Sequence, residues 1–413
     1  MKIAIVIGRN WEGAGVTRYI IELANFLSIQ GIEHKIFAVD DKKWGRANLQ
    51  SRPPFENITQ NNIDTFADIL NKFDYVFINS VPSIKHSQWA IDGFLKMVRG
   101  ITTRKLVFQN DHKIASIHRN ANFFELCNIC DGIVSHSITS PFYNKLVTMF
   151  GTEIKSKFIQ LHVGFDFSQL LFYRKTEHFK KITYLGRYAT FKQPDRLFGF
   201  LPYAKQNNLL LEMKGIERSL GSLNIFYDNI EKKIAKHDIY QCDRKSIENG
   251  LIIDNDKRDF EHIYIFGPYE YVDGMKTLSN SLIGADFYHL NADAYGDNFE
   301  YAQCEIVAVG TVPMFDYHWA ENCWVYKNGK KTDQRFVDLN EYGLFVKKDL
   351  SNVEEIVEKI NDIYSNPILH KKYLDCSFEV TQNHCDSKWI FQNLLDDMIK
   401  LEKAKIIKTK ALF

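Results

Sequence analysis

Short apolar runs alternate with amphipathic segments along the first 165 residues. Residues 2–7 form a β-branched run, and apolar positions then recur at helical spacing from Val16 to Leu27. Further strand-like runs occupy residues 35–39, 75–79, 106–109 and 132–135, with helical patterns between several of them. This alternation predicts an α/β domain with a doubly wound parallel sheet.

The same pattern restarts after residue 165 and predicts a second α/β domain. Strand candidates fall at residues 182–185, 209–213, 263–266, 287–290 and 312–315. Residues 224–261 carry few periodic apolar positions and predict an irregular excursion, whereas residues 387–401 predict an amphipathic helix.

We therefore divide the chain into residues 1–170, residues 171–385 and a C-terminal helix and tail, residues 386–413. The tail is expected to pack back on the N-terminal domain. Ligands of doubly wound sheets bind at the carboxyl ends of the strands, so two such domains facing each other predict a central ligand cleft.

Composition narrows the class of protein. The 413 residues are 45% hydrophobic and 25% charged, with 22 Gly and 9 Pro, which excludes collagen-like, low-complexity and wholly disordered chains. The 52 Lys and Arg against 51 Asp and Glu leave a net charge of +1, so a polyanion must be met by a local basic patch.

The seven scattered cysteines, the lack of a signal-peptide pattern and the lack of a long apolar run predict a soluble protein in a reducing cytoplasm. Cys127 and Cys130 form the one close pair, but no second pair or histidine follows at zinc spacing. We interpret both as core thiols.

Two loops are candidates for binding a phosphate. Gly13 and Gly15 follow the first strand and open a helix, whose free N–H groups suit an anion, although the loop lacks both a full dinucleotide motif and a P-loop lysine. Arg187 and Lys192 follow the first strand of the second domain, where a guanidinium and an ammonium can neutralise a pyrophosphate. For the glycine loop the alternative is a tight turn that binds no ligand. For Arg187 and Lys192 the alternative is a pair of solvated surface cations.

A third motif carries carboxylates. Glu305 is followed by Gly310 and an apolar strand, which predicts a helix that holds Glu305 in its first turns and ends at the glycine. Carboxylates accept hydrogen bonds from the vicinal hydroxyls of a ribose or hexose. For Glu300, sugar binding and a plain charged helix face are equally supported.

A fourth motif ends a buried strand. Asn110, Asp111 and His112 follow residues 106–109 and should lie at the carboxyl edge of the first sheet, where a carboxylate or imidazole can orient or deprotonate a hydroxyl. Asp111 is the stronger candidate, because a lone histidine is more often structural. His136 is a second candidate at a strand end.

Seven blocks in collinear order resemble the retaining DNA α-glucosyltransferases of T-even bacteriophages, which modify 5-hydroxymethylcytosine. They are EGAGVTRY, FINSVPS, FQNDHKIASIHRN, VSHS, GRYATFK, MKGIERS and EYAQCEIVAVGTVPMF, spanning residues 12–315. The resemblance implies a GT-B fold, in which two Rossmann-like domains face a central cleft. The N-terminal domain would bind acceptor DNA and the C-terminal domain would bind the nucleotide sugar.

Roles follow residue by residue from the resemblance. Gly13 and Gly15 would line the phosphates, and Arg187 and Lys192 would hold the diphosphate and stabilise the departing UDP. Asp111 would position or deprotonate the acceptor hydroxyl.

The remaining donor residues follow in the same way. Glu305 would bind the ribose diol, Glu300 the donor sugar, and Arg218 would help hold the nucleotide. No tightly bound cofactor and no metal is expected, with the UDP-sugar as donor substrate.

Two positions depart from the family pattern. Asn110 stands where the family has a histidine, and Asp297 stands where broader retaining GT-B enzymes have the first glutamate of a Glu-x7-Glu pair. These departures leave the donor open between UDP-glucose and a pentose donor such as UDP-arabinose.

An acceptor base in double-stranded DNA must leave the stack to reach a deep cleft, so base flipping is expected. Lys85, Lys113, His118 and Arg119 are candidates for contacts to DNA phosphates, with ordinary solvated cations as the alternative. No membrane partner is expected.

The leading hypothesis is a phage DNA glycosyltransferase that protects DNA from host nucleases in the host cytoplasm. The alternatives are a GT-B enzyme of glycan or lipid-linked sugar synthesis and a nucleotide-binding regulatory protein without activity.

Overall fold

A computed structural model describes residues 1–8, 15–40, 55–82, 87–109, 121–135, 141–187, 192–216, 239–240, 260, 263–266, 269–288, 299–327 and 330–410. Within these ranges the chain forms two compact units. One contains Met1–Asp166 and Cys385–Phe413, and the other contains Phe167–Ala292 and Phe299–His384. The roles predicted for the two halves stay predictions and are taken up below.

The first unit is built on a parallel sheet. Its described strands are β1 Lys2–Ile7, β2 Glu33–Val39, β3 Phe55–Ile58, β4 Tyr75–Asn79, β5 Arg104–Gln109, β6 Gly132–Ser135 and β7 Phe158–Gln160, in the order β3-β2-β1-β4-β5-β6-β7. Its helices are α1 Gly15–Ile29, α2 Phe66–Leu70, α3 Gln88–Gly100, α4 Ala121–Ile129 and α5 Pro141–Phe150. The strand order reverses between β1 and β4, as in a doubly wound fold.

The second unit repeats this architecture. Its described strands are β8 Phe179–Arg187, β9 Leu210–Ile216, β10 Ile239–Tyr240, β11 Ile263–Phe266, β12 Ser281–Asp286, β13 Val312–Asp316, β14 Trp324–Lys327, β15 Lys330–Arg335 and β16 Leu344–Val346. Seven of them form a parallel sheet in the order β10-β11-β9-β8-β12-β13-β16, and β14 pairs with β15 as an antiparallel hairpin. The order of the large sheet reverses between β8 and β12.

The helices of the second unit are α6 Leu201–Ala204, α7 Tyr271–Ser279, α8 Tyr301–Ala308, α9 Tyr317–Asn322, α10 Val353–Ser365 and α11 Pro367–Cys385. The last helix, α12 Ser387–Lys410, belongs to the first unit. Its Phe391 ring lies 5.4 Å from the ring of Tyr19 and 5.7 Å from that of Phe26, both on α1. None of the helices described above has the length and apolar composition that a membrane crossing requires.

The central strands of each sheet are buried on both faces, which explains their near-continuous apolar runs. All six residues of β12 are buried, as are all five of β4 and of β13. Cys127 and Cys130 lie in the core of the first unit as free thiols, as predicted. Burial raises the pKa of Cys130 to about 12, which keeps this thiol uncharged.

One predicted strand lies earlier in the chain than expected. The pattern placed a strand at residues 287–290, whereas β12 ends at Asp286, Phe287 and Tyr288 lie outside it, and residues 289–290 are not among those described. The Oδ1 atom of Asp286 accepts a hydrogen bond from the backbone N–H of Tyr288 at 3.0 Å, just beyond the end of the strand. The irregular excursion predicted at residues 224–261 lies almost wholly outside the described residues.

Candidate functional site

The candidate site lies where β8 and β12 of the second unit end side by side. β12 pairs with β8 in parallel, with Ala285 opposite Tyr184, so Asp286 and Arg187 end neighbouring strands at the same edge. This edge is the point at which the strand order reverses, and ligands of doubly wound sheets bind there.

Lys192 follows β8 and is only 6% exposed. Its ammonium group forms a salt bridge with the carboxylate of Glu300, and the Oδ2 atom of Asp286 lies 3.9 Å from its Nζ atom. The ring of Tyr288 lies against the same ammonium, with Nζ 4.0 Å from the ring centroid. One buried cation is thus surrounded by two carboxylates and an aromatic face.

Glu300 immediately precedes α8, as its N-cap residue. Its backbone N–H donates to the side-chain oxygen of Gln303 at 2.9 Å, which fixes the start of the helix. Its carboxylate is directed to Lys192, 108 residues earlier in the chain. The structure therefore brings together two of the predicted donor-site residues.

Glu305 lies on α8, as predicted, and is half-buried. Its Oε1 atom accepts a hydrogen bond from the hydroxyl of Tyr271 at 2.9 Å. Burial, and next the Glu305 charge, raise the pKa of the neighbouring Tyr269 well above its usual range. Glu305 is thus the negative end of a small tyrosine cluster.

The end of α8 is also as predicted. Gly310 has a φ of 78°, a left-handed conformation that suits glycine, and its N–H donates to Val307 while that of Thr311 donates to Ile306. The guanidinium of Arg174 donates to the carbonyls of Ala308 and Val307 at 3.0 and 3.2 Å. These hydrogen bonds stabilise the C-terminal end of α8, the helix that Glu300 caps and that carries Glu305.

Most other predicted site residues lie outside the described ranges. These are Gly13, Lys85, Asn110, Asp111, His112, Lys113, His118, Arg119, His136, Arg218 and Asp297. Gly15 begins α1, and Arg187 ends β8, with its backbone but not its side chain described. Their roles stay predictions.

Sequence reasoning missed Asp286, Tyr288 and Tyr271. An acidic residue that ends a buried strand was a usable signal for Asp286, but its value depends on knowing that β8 and β12 are neighbours. Nothing in the sequence marked the two tyrosines. Among the residues described, no group of three or more His, Cys, Asp or Glu side chains could hold a metal ion.

In the first unit, β1 and β4 meet at the corresponding edge. The backbone N–H of Gly8 donates to the carbonyl of Asn79 at 3.2 Å, and a Cβ at Gly8 would lie 2.6 Å from the carbonyl oxygen of Ser80. Only glycine permits this close approach of the two strand ends. The block FINSVPS, which the resemblance placed on the acceptor side, begins on β4 and runs through this edge.

Known proteins share this architecture. The DNA alpha-glucosyltransferase of Enterobacteria phage T4 is 23% identical over 97% of this chain and 100% of its own length. An alpha-glucosyltransferase solved with UDP-glucose and DNA containing an abasic site superposes with a TM-score of 0.80, at 22% identity over 97% of this chain and 99% of that one. Another, solved with UDP and a 13-mer DNA containing an HMU base, gives 0.77 at 22% identity, over 96% and 98% of the two chains.

The two doubly wound units, with a basic and acidic cluster at the switch point of the second, have the GT-B fold. The profile of the DNA alpha-glucosyltransferase family matches residues 14–368, and the chain belongs to this family. The predicted GT-B fold, the glycosyltransferase class and the DNA alpha-glucosyltransferase family are confirmed.

Proposed function

We propose that this enzyme transfers a sugar from a UDP-sugar to the hydroxymethyl group of 5-hydroxymethylcytosine in double-stranded phage DNA, with retention of configuration. UDP-glucose is the favoured donor, because the family is one of glucosyltransferases and the related structures were solved with UDP or UDP-glucose. UDP-arabinose is the alternative donor. The reaction takes place in the host cytoplasm during infection and protects the DNA from host nucleases.

The observation that carries the proposal is the Lys192 cluster at the switch point of the second unit. A diphosphate leaving group carries negative charge that grows as its bond to the sugar breaks, and fixed cations stabilise that charge. Lys192 supplies one cation on a buried site and Arg187 ends the adjacent strand. The second unit is therefore proposed to bind the donor.

In the structure, the Glu300 carboxylate forms an ion pair with the Lys192 ammonium. We expect the donor diphosphate to take its place, because two anions compete for one cation. The freed carboxylate then accepts hydrogen bonds from the sugar hydroxyls, and Glu305 accepts those of the ribose. The Gly13 and Gly15 loop contributes backbone N–H groups, and Arg218 helps to hold the nucleotide.

The first unit is proposed to bind the acceptor. The target nucleotide leaves the duplex, and Asp111 positions or deprotonates its hydroxyl group, with Asn110, His112 and His136 beside it. The hydroxyl oxygen bonds to the anomeric carbon on the face from which UDP departs.

DNA phosphates contact Lys85, Lys113, His118 and Arg119. Each phosphate contact from Lys85, Lys113 or Arg119 makes the slope of log affinity against log salt more negative by about 0.9.

The test is a transfer assay on duplexes that contain hydroxymethylcytosine or ordinary cytosine, each offered UDP-glucose or UDP-arabinose. The product DNA is digested to nucleosides, their masses are measured by mass spectrometry, and the anomeric configuration is determined by NMR. The proposal expects an α-linked hexose on hydroxymethylcytosine alone. A pentose product would reassign the donor. Bound UDP without transfer to either duplex would contradict the acceptor and favour a glycan-building enzyme.

A further inference from the structure

Asp286 uses its two carboxylate oxygens for different purposes. Oδ1 accepts the backbone N–H of Tyr288, and Oδ2 lies 3.9 Å from the Nζ atom of Lys192. Within the described part of the chain, Oδ2 accepts no hydrogen bond. The side chain is 2% exposed, so the carboxylate is held in one place next to the ammonium.

Asp286 also contacts the residue that supplies the aromatic face of the site. Its Oδ1 atom accepts a hydrogen bond from the backbone N–H of Tyr288, whose ring lies 4.0 Å from Nζ of Lys192. Asp286 therefore adjoins both the ammonium and the residue that carries the aromatic face.

The two carboxylates near Lys192 differ in their freedom. The Glu300 side chain is 25% exposed at the start of a helix, whereas the Asp286 side chain is 2% exposed at the end of a central strand. Glu300 can yield its place to an incoming anion. Asp286 cannot leave, and it remains the fixed counter-ion that keeps a buried ammonium charged and in place.

We propose that Asp286 is a positioning residue that holds the Lys192 ammonium for the diphosphate of the donor. The inference rests on the proposed donor role of Lys192. It assigns to Asp286 no contact with the substrate.

The test measures the binding of UDP and of uridine, which lacks the diphosphate, by calorimetry. Asp286→Asn keeps an oxygen for the Tyr288 N–H and removes the charge beside Lys192. We expect it to weaken UDP binding about tenfold and to leave uridine binding within about twofold. In a Lys192→Met background the same substitution should change UDP binding by less than about twofold, because the group that it positions is gone.

Equal weakening of UDP and uridine, or an unchanged effect in the Lys192→Met background, would overturn the inference and leave Asp286 a structural residue. Asp362→Asn, at an exposed aspartate on α10, is the matched control and should change the binding of neither ligand. If Asp286→Asn does not fold, Asp286→Ser takes its place in the same cycle, because it also removes the charge and keeps a side-chain oxygen, and the same criteria apply. Because the readout is UDP binding, a wild type that binds UDP but does not modify DNA would contradict the proposed function alone.

Discussion

Glu22 offers a direct test of how burial controls this structure. Its carboxylate on α1 is 1% exposed. Oε1 accepts a hydrogen bond from the guanidinium of Arg18 at 2.7 Å, and Oε2 accepts one from the backbone N–H of Asp166 at 3.1 Å. Asp166 is the last residue of the N-terminal segment of the first unit. Burial raises the pKa of Glu22 from 4.5 to about 7, although the Arg18 charge and the Asp166 N–H oppose the rise.

The sign of the effect follows from linkage. Below pH 4.5 the carboxyl is protonated in both states, so it contributes nothing to the pH dependence. Between pH 4.5 and about 7 the unfolded chain loses its proton while the folded protein keeps it, and folding becomes less favourable. Above about pH 7 the carboxyl is ionised in both states, and the free energy of unfolding has fallen by about 3 kcal/mol, because the pKa rises from 4.5 to about 7 on folding.

Glu22→Gln keeps an oxygen for the Asp166 N–H and removes this titration. We expect the free energy of unfolding of the variant, relative to wild type, to rise by about 2–3 kcal/mol from about pH 5 to about pH 8. Urea unfolding at the two pH values measures it, and Glu354→Gln on the exposed face of α10 is the control. Parallel pH curves for wild type and Glu22→Gln would refute the reasoning.

Two further predictions concern the helix α8. Glu300→Gln should tighten UDP binding about threefold to tenfold, because the carboxylate that competes with the diphosphate for Lys192 is lost. It should also lower sugar transfer at least about tenfold. Weaker UDP binding in calorimetry would contradict the proposed competition between Glu300 and the diphosphate. Arg174→Ala removes two hydrogen bonds to the end of α8 and the contact of the guanidinium with Phe378. It should lower the free energy of unfolding, measured in urea, by about 2–3 kcal/mol. An unchanged unfolding midpoint would contradict a stabilising role of Arg174.

Periodicity predicted the framework of the fold well where both faces of a strand are apolar. Strands β1, β4 and β6 begin and end at the predicted residues, and α1 buries Tyr19, Ile20, Leu23, Phe26 and Leu27. Short or polar strands gave no such signal. β15 is mostly exposed and carries Lys330 and Lys331, and β7 has only three residues, so neither was predicted.

The donor site was only partly readable for a related reason. Lys192 and Glu300 were found as separate motifs, but their salt bridge joins residues that are 108 positions apart in the chain. Asp286 ends β12, whose sequence SLIGAD is less apolar than the run that follows it, so the strand was placed too late. The function of Asp286 depends on the order of strands, which local patterns do not encode.

The central claim is that sugar transfer to DNA depends on the Lys192 site. The most direct test is to measure transfer of labelled glucose from UDP-glucose to a hydroxymethylcytosine duplex by wild type, Lys192→Met and Lys371→Met, the last at an exposed lysine on α11. We expect wild type and Lys371→Met to transfer at equal rates and Lys192→Met to be slower by about 100-fold or more. Transfer by Lys192→Met at the wild-type rate would contradict the account.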